Sequence, residues 1–84
     1  MLSQLSLIFL KSVKNDINFK IRDFTVPELD RFRELCNFTD DELEYFEYKA
    51  KDKSNVYIAQ AMHISESQVS KLALRVKLKI VRVA

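Results

Sequence analysis

The sequence predicts a small all-α bundle of four to five helices that contains a helix-turn-helix, and three observations support this. A chain of 84 residues is long enough for one small core. It contains no glycine and one proline, which disfavours an all-β domain because tight hairpins depend on Asn-Gly and Asp-Gly turns. From Thr25 onward, apolar residues recur at helical spacing after residues that cap helices.

Residues 1–24 are expected to form an N-terminal extension that is available for dimerisation, and residues 25–84 a separate helix-turn-helix domain. A helix over 3–14 is predicted from apolar residues that share one face: Leu2, Leu5, Phe9 and Val13. An extended connector follows, in which apolar residues alternate with polar ones as in a short strand: Ile17, Phe19 and Ile21.

The first two helices of the domain are predicted over 26–36 and 40–51. Thr25 precedes the first, and Pro27 is tolerated in a first turn, where its missing N–H would have no intrahelical partner. Thr39 begins the second, with Glu42 three residues later as in a capping box.

Two further helices are predicted over 55–62 and 66–79. Ser54 can cap the first, and His63 suits the turn between them because histidine tolerates a positive φ. Ser65 and Gln68 form a second capping box before the longest apolar stripe: Val69, Leu72, Ala73, Val76 and Ile80. The end of this stripe also fits strand alternation, but the capping box and the continuity of the pattern favour a helix.

Residues 55–74 meet the physical requirements of a helix-turn-helix. Two helices that cross steeply over a short turn need a small residue where their backbones approach, which Ala59 provides. They also need apolar residues in the first helix, the turn and the second helix, and five fill these positions: Ile58, Met62, Ile64, Val69 and Leu72.

These residues resemble the LuxR/FixJ-type DNA-binding domain, and almost as closely region 4 of bacterial sigma factors. The resemblance covers residues 38–80, about half of the chain, and depends on three short matches: Phe38-Thr39 with Glu42, Ser54-Asn55 with Ile58-Ala59, and Ile64-Ser65-Glu66-Ser67 with Val69. It implies a compact all-α bundle in which the helix from Glu66 onward enters the major groove. The family usually has Thr-Val-Lys where this chain has Gln68-Val69-Ser70, and histidine in place of Leu72.

The outward side of the second motif helix and the start of the first supply the candidate DNA contacts. Three early residues are expected to reach base edges: Ser67, Gln68 and Lys71, with glutamine suited to adenine and lysine to guanine. Four residues are expected to contact phosphates: Ser54, Asn55, Ser70 and Arg75. In the simpler alternative, Gln68 only completes the capping box, and Lys71 and Arg75 only solubilise the helix.

The charge distribution fits a polyanion-binding surface. The net charge of +2 divides into +3 over residues 1–22, −6 over 23–52 and +5 over 53–84. A basic C-terminal third can displace counterions from phosphates, although a charge run of this kind is also common on a solvated helix face. The acidic residues over 39–47 are expected to lie on solvated surface.

The sequence disfavours an enzyme, a metal site and a cofactor. Cys36 and His63 are the only cysteine and histidine, and no glycine-rich phosphate loop is present. Cys36 is expected to be a core thiol, and the three tyrosines to border the core: Tyr45, Tyr48 and Tyr57. The run Leu7–Leu10 is far shorter than the about 18–20 residues of a membrane span, so no membrane partner is expected.

We therefore expect a cytoplasmic, sequence-specific transcriptional regulator of bacterial or mobile-element origin that binds double-stranded DNA. A homodimer is expected, through residues 1–24 or through the apolar end of the chain: Ile80, Val81 and Val83. The alternative is a helix-turn-helix-derived interaction module that binds RNA polymerase or another regulator. The −6 block and the serine at position 70 favour that alternative.

Overall fold

The computed structural model describes residues 19–83, and this part of the chain is all-α. A single 3₁₀ turn over Ile21–Asp23 is followed by four α-helices: α1 (Val26–Leu35), α2 (Asp40–Ala50), α3 (Asn55–Met62) and α4 (Glu66–Val83). The predicted fold class is confirmed, and the first three helices end within one residue of their predicted bounds. The helix predicted over 3–14 lies outside the described residues.

Side-chain caps begin α1, α2 and α3. Thr25 and Thr39 each form a complete capping box, with Glu28 and Glu42 respectively. Ser54 Oγ accepts a hydrogen bond from the Tyr57 N–H at 3.1 Å. Each cap satisfies an N–H group that has no partner inside its own helix, so the helix starts are fixed locally by short sequence patterns.

Left-handed residues follow α1, α2 and α3. Asn37 has a φ of 53°, Asp52 of 61° and His63 of 57°. The positive φ of His63 was predicted and is confirmed. Asn, Asp and His are the non-glycine residues that reach this region most readily, so three reversals form in a chain without glycine.

Helix α4 extends to Val83, four residues beyond the predicted end at 79. The strand alternative for its last turns is wrong, because Val76 and Ile80 both lie on one helical face and are fully buried. Ile80 belongs to the core of its own chain, so it is not available for the dimer contact predicted at the apolar end.

The core forms around α4, which packs against α1, α2 and α3. Its most deeply buried side chains come from all four helices: Phe32, Tyr45, Phe46, Ile58, Val69, Val76 and Ile80. Because α4 contributes residues along most of its length to this core, its angular position is fixed, and so is the set of side chains on its outward face.

The core also includes Ile21 and Phe24, which precede the domain boundary predicted at Thr25. The predicted extended connector is wrong at Ile21, which begins the 3₁₀ turn. The Phe24 N–H donates to the Ile21 carbonyl at 3.2 Å, and the Phe24 ring meets Phe32 edge-on at 4.9 Å between centroids. Residues three apart share a face in a 3₁₀ turn, which lets Ile21 and Phe24 enter the core together.

Candidate nucleic-acid interface

Helices α3 and α4 form the predicted motif around a closed turn. The Ile64 N–H donates to the Ala59 carbonyl at 3.0 Å, and the His63 N–H donates to the Gln60 carbonyl at 3.3 Å. Ile58, Ala59, Val69 and Leu72 are buried, while Met62 and Ile64 are partly buried against the core. All six residues selected from the sequence are therefore part of the core or packed against it.

The outward face of α4 carries the predicted contact residues. The structure leaves all five of the candidates on this helix exposed: Ser67, Gln68, Ser70, Lys71 and Arg75. Leu74 and Leu78 lie on the same side and are 52% and 45% exposed. This face therefore combines hydrogen-bonding groups near its N-terminus with an apolar pair further along.

Gln68 is already engaged in the start of α4. Its Oε1 accepts from the Ser65 N–H at 3.2 Å, and its own N–H donates to Ser65 Oγ at 3.1 Å. The predicted capping box is confirmed. A bidentate contact with adenine needs both Oε1 and Nε2 of glutamine, so reading adenine with Gln68 in that way would compete with the cap.

Arg75 forms a long ion pair with an acidic residue of α2, Glu42. Its Nε lies 3.9 Å from Oε2 of Glu42, while the Arg75 side chain remains 61% exposed. Asp41, Gln68, Lys71 and Arg75 also line one shallow depression. The side of α4 that holds Arg75 thus faces two carboxylates, a proximity that its sequence pattern does not reveal.

Glu42 is buried, contrary to the expectation that the acidic residues over 39–47 are all solvated. Its Oε1 accepts from the Thr39 N–H at 3.0 Å and also from the ammonium of Lys79. Burial raises the pKa of Glu42, but the bonds from Lys79 and Thr39 outweigh it and hold that pKa below its usual value. Glu42 therefore ties the start of α2 to the C-terminal half of α4.

The two phosphate candidates at the start of α3 differ in availability. Ser54 is exposed, and its Oγ accepts the capping bond while the hydroxyl proton can still be donated outward. Asn55 is half-buried, and its Oδ1 is inaccessible and accepts no hydrogen bond within the described part of the chain. A contact from Asn55 to a phosphate would have to use its Nδ2 group.

The remaining candidates occupy structural positions. Cys36 is buried, and burial raises the pKa of its thiol to about 11 against the opposing effect of Lys79. Burial likewise raises the pKa of Tyr45 to about 12. Tyr48 and Tyr57 meet edge-on with ring centroids 5.7 Å apart, but Tyr57 is 46% exposed, so the expectation that all three tyrosines border the core is wrong for Tyr57. Over residues 19–83, no group of three or more His, Cys, Asp or Glu side chains is arranged to hold a metal ion.

A basic cluster that the sequence analysis missed lies beside the motif. Lys20, Lys49 and Lys77 line one depression with Asn55 and Ala73, and its volume is about 200 Å³. Sequence reasoning did not group these lysines, because Lys20 falls in the predicted extension and Lys49 in the segment with a charge of −6. The sequence feature that could have indicated part of this cluster is the four-residue spacing of Ala73 and Lys77, which puts both on one side of α4.

Comparison with known protein families, curated proteins and solved structures finds no match for this chain. Within the described part of the chain, no helix has both the length and the apolar character required to cross a membrane.

Proposed function

We propose that this protein binds double-stranded DNA through α3 and α4 and acts as a transcriptional regulator. The observation that carries the proposal is the outward face of α4, on which Ser67 and Lys71 are exposed. Helix α4 begins with the Ser65–Gln68 cap, and the turn at His63 connects it to α3. In a helix-turn-helix, this arrangement presents the N-terminal residues of the second helix to base edges in the major groove.

The exposed side chains differ in the contacts they would make. Lys71 suits the acceptors of guanine, and Ser67 can donate to or accept from any base edge. Gln68 would contribute its Nε2 group while Oε1 remains in the cap. Ser54, Ser70 and the N–H groups at the start of α3 would contact phosphates, since a helix N-terminus attracts anions.

A homodimer on two half-sites follows from the small number of base contacts. One α4 offers few residues to base edges, and two-fold related copies would double that number on a palindromic site. The dimer contact was predicted within residues 1–24, and because Ile21 and Phe24 are buried in the core, the proposed contact is limited to the part of that segment before them.

The proposal is tested by fluorescence-anisotropy titration of a random duplex pool at about 50 and 200 mM salt. The protein is compared with a Lys71→Ala/Arg75→Ala variant and with Arg31→Ala, which removes an exposed charge from α1. We expect binding that weakens steeply with salt, is reduced in the double variant and is preserved in Arg31→Ala. Absence of binding by the folded protein at low salt would reject the proposal.

One observation favours a second function, an interaction module for RNA polymerase or another regulator. Leu74 and Leu78 form an exposed apolar pair one helical turn apart in the middle of the outward face. Under this alternative, Leu74→Ser/Leu78→Ser would abolish binding to purified RNA polymerase, whereas Lys71→Ala/Arg75→Ala would retain it. DNA binding that survives the leucine substitutions would favour the first function.

A further inference from the structure

The two flanks of α4 differ in charge. On one flank, Lys71 and Arg75 share a depression with Asp41, and Glu42 lies 3.9 Å from Arg75, so carboxylates offset the positive charge there. On the other flank, Ala73 and Lys77 share a depression with Lys20 and Lys49. A helix in the major groove lies between two phosphate backbones, so each flank would approach one of them.

The three lysines of this second depression form no ion pair with a carboxylate in the described part of the chain, and Asp52 acts on Lys49 only at longer range. Within residues 19–83, none of Lys20, Lys49 and Lys77 has an acidic oxygen within 4.0 Å, whereas four other basic side chains do: Arg22, Arg33, Arg75 and Lys79. Asp52 borders Lys20 and Lys49, but its carboxylate is bound to Arg22 at 2.7 Å. The depression therefore carries a surplus of positive charge.

Aromatic rings hold two of these ammonium groups at the surface of the bundle. The Lys49 Nζ lies 6.0 Å from the centre of the Tyr45 ring, and the Lys77 Nζ lies 5.6 Å from that of Phe19. Ring contacts orient a cation without neutralising it, so both charges remain available to an anion. Burial lowers the pKa of Lys49 and the positive charge of Lys77 lowers it further, while the charge of Asp52 opposes both effects in part.

The depression also adjoins the start of α3. Asn55, the first residue of that helix, lines it together with the three lysines. The positive dipole end of α3 therefore lies next to the lysines, and both features attract phosphate.

We propose that Lys49 and Lys77, assisted by Lys20, bind the phosphate backbone of duplex DNA on the side of α4 opposite Arg75. The inference rests on the proposed DNA binding and assigns its main phosphate contacts to residues that the sequence analysis did not select. One strand would pass from the start of α3 across Lys49 to Lys77, while on the opposite flank Asp41 and Glu42 would offset part of the charge of Arg75.

The test measures the salt dependence of duplex binding for Lys49→Gln/Lys77→Gln, with Arg31→Gln as the matched control. Each lost phosphate contact lowers the slope of log K against log salt by about 0.9. We expect the slope to fall by about 1.8, so that between about 50 and 200 mM salt the affinity loss becomes about 12-fold smaller than in the wild type. Arg31→Gln should keep the wild-type slope, and circular dichroism should show unchanged helix content in both.

The outcomes separate this inference from the proposed function. If the wild type binds duplex and Lys71→Ala/Arg75→Ala weakens that binding, but Lys49→Gln/Lys77→Gln keeps the full slope, only the assignment of the lysine cluster is overturned. If the wild type binds no duplex, the proposed function and the cluster assignment fail together. A reduced slope of log K against log salt in Lys49→Gln/Lys77→Gln, with the wild-type slope in Arg31→Gln, would support the assignment of phosphate contacts to the lysine cluster.

Discussion

The carboxylate of Glu42 has three partners in the bundle: the Thr39 N–H, Lys79 and Arg75. It completes the cap of α2, accepts from Lys79 and lies near Arg75, so it connects the start of α2 with the second half of α4. Lys79 also donates to the Asn37 carbonyl at 3.1 Å, in the turn between α1 and α2. Loss of the Glu42 charge would leave Lys79 with only this neutral partner.

Glu42→Gln is expected to lower the free energy of unfolding by about 1–2 kcal/mol near neutral pH, since glutamine keeps an acceptor for the Thr39 N–H but loses the charge-assisted bond. The pKa of Glu42 is lowered on folding, so its stabilising charge is present above the ordinary glutamate pKa of about 4.3 and is lost as pH falls through the lower folded value. Urea unfolding should therefore show a difference in the free energy of unfolding between wild type and variant at neutral pH, and this difference should disappear in acid. Exposed Glu34→Gln should show no comparable gap at neutral pH.

The left-handed conformation of His63 gives a second prediction at single-residue scale. A β-branched residue at this φ of 57° clashes with its own backbone, so His63→Val should destabilise the protein by about 1–3 kcal/mol. His63→Asn should cost much less, because asparagine tolerates this region. Thermal unfolding of the two variants measures the difference, and equal losses would contradict the backbone explanation.

The role of His63 and the capping role of Glu42 were predictable from sequence, whereas the ion pairs of Glu42 and Asp52 were not. His63 lies between two strong helix patterns, so a reversal was required at that position. The burial of Glu42 depends on Lys79, which is 37 residues away. Asp52 pairs with Arg22 across 30 residues. Local patterns carry no information about such contacts.

Among the elements, α4 begins with a capping box, as α1 and α2 do. Ser65→Ala removes the hydroxyl that accepts the Gln68 N–H and should destabilise the protein by about 1 kcal/mol. Ser67→Ala, two residues later on the exposed face, should change stability by less than about 0.5 kcal/mol. Chemical denaturation distinguishes the two serines. If the proposed function is correct, Ser67→Ala should instead weaken duplex binding.

The end of α4 was harder to predict than its start. No proline and no capping motif follows residue 79, and alternating apolar residues in the last turns fit either a helix or a strand. The burial of Ile80 and the bond from Lys79 to the Asn37 carbonyl favour continuation of the helix. Tertiary contacts, rather than local preference, therefore determine its last four residues.

For the molecule as a whole, the concentration of positive charge beside α4 should reduce stability. Lys49 titrates with a lowered pKa because of burial and the nearby Lys77, so the folded state binds this proton less tightly than the unfolded chain does. Lys49→Gln is accordingly expected to leave the free energy of unfolding unchanged or raised near neutral pH. The wild type should gain stability relative to the variant as pH rises toward the ordinary lysine pKa of about 10.4. Urea unfolding at neutral and alkaline pH measures this, and a clear loss of stability in the variant at neutral pH would contradict it.

At the same scale, the all-α class and the helix-turn-helix arrangement could be predicted because capping boxes and apolar stripes are local. The outward face of α4 followed from subtracting its core stripe. The lysine cluster could not be predicted, because it combines the residues before the 3₁₀ turn, the end of α2 and the middle of α4. Only the packing of these elements brings their charges together.

Because Cys36 is buried, its reactivity can report transient opening of the helical bundle. It is the only thiol in the sequence, and with a pKa of about 11 and little access to solvent it should react slowly with a thiol reagent while the bundle is closed. Labelling must then wait for α1 to separate from the rest of the core. The labelling rate thus measures the opening equilibrium under native conditions without denaturant or an added probe, and slower labelling on addition of duplex DNA would reveal binding through its effect on opening.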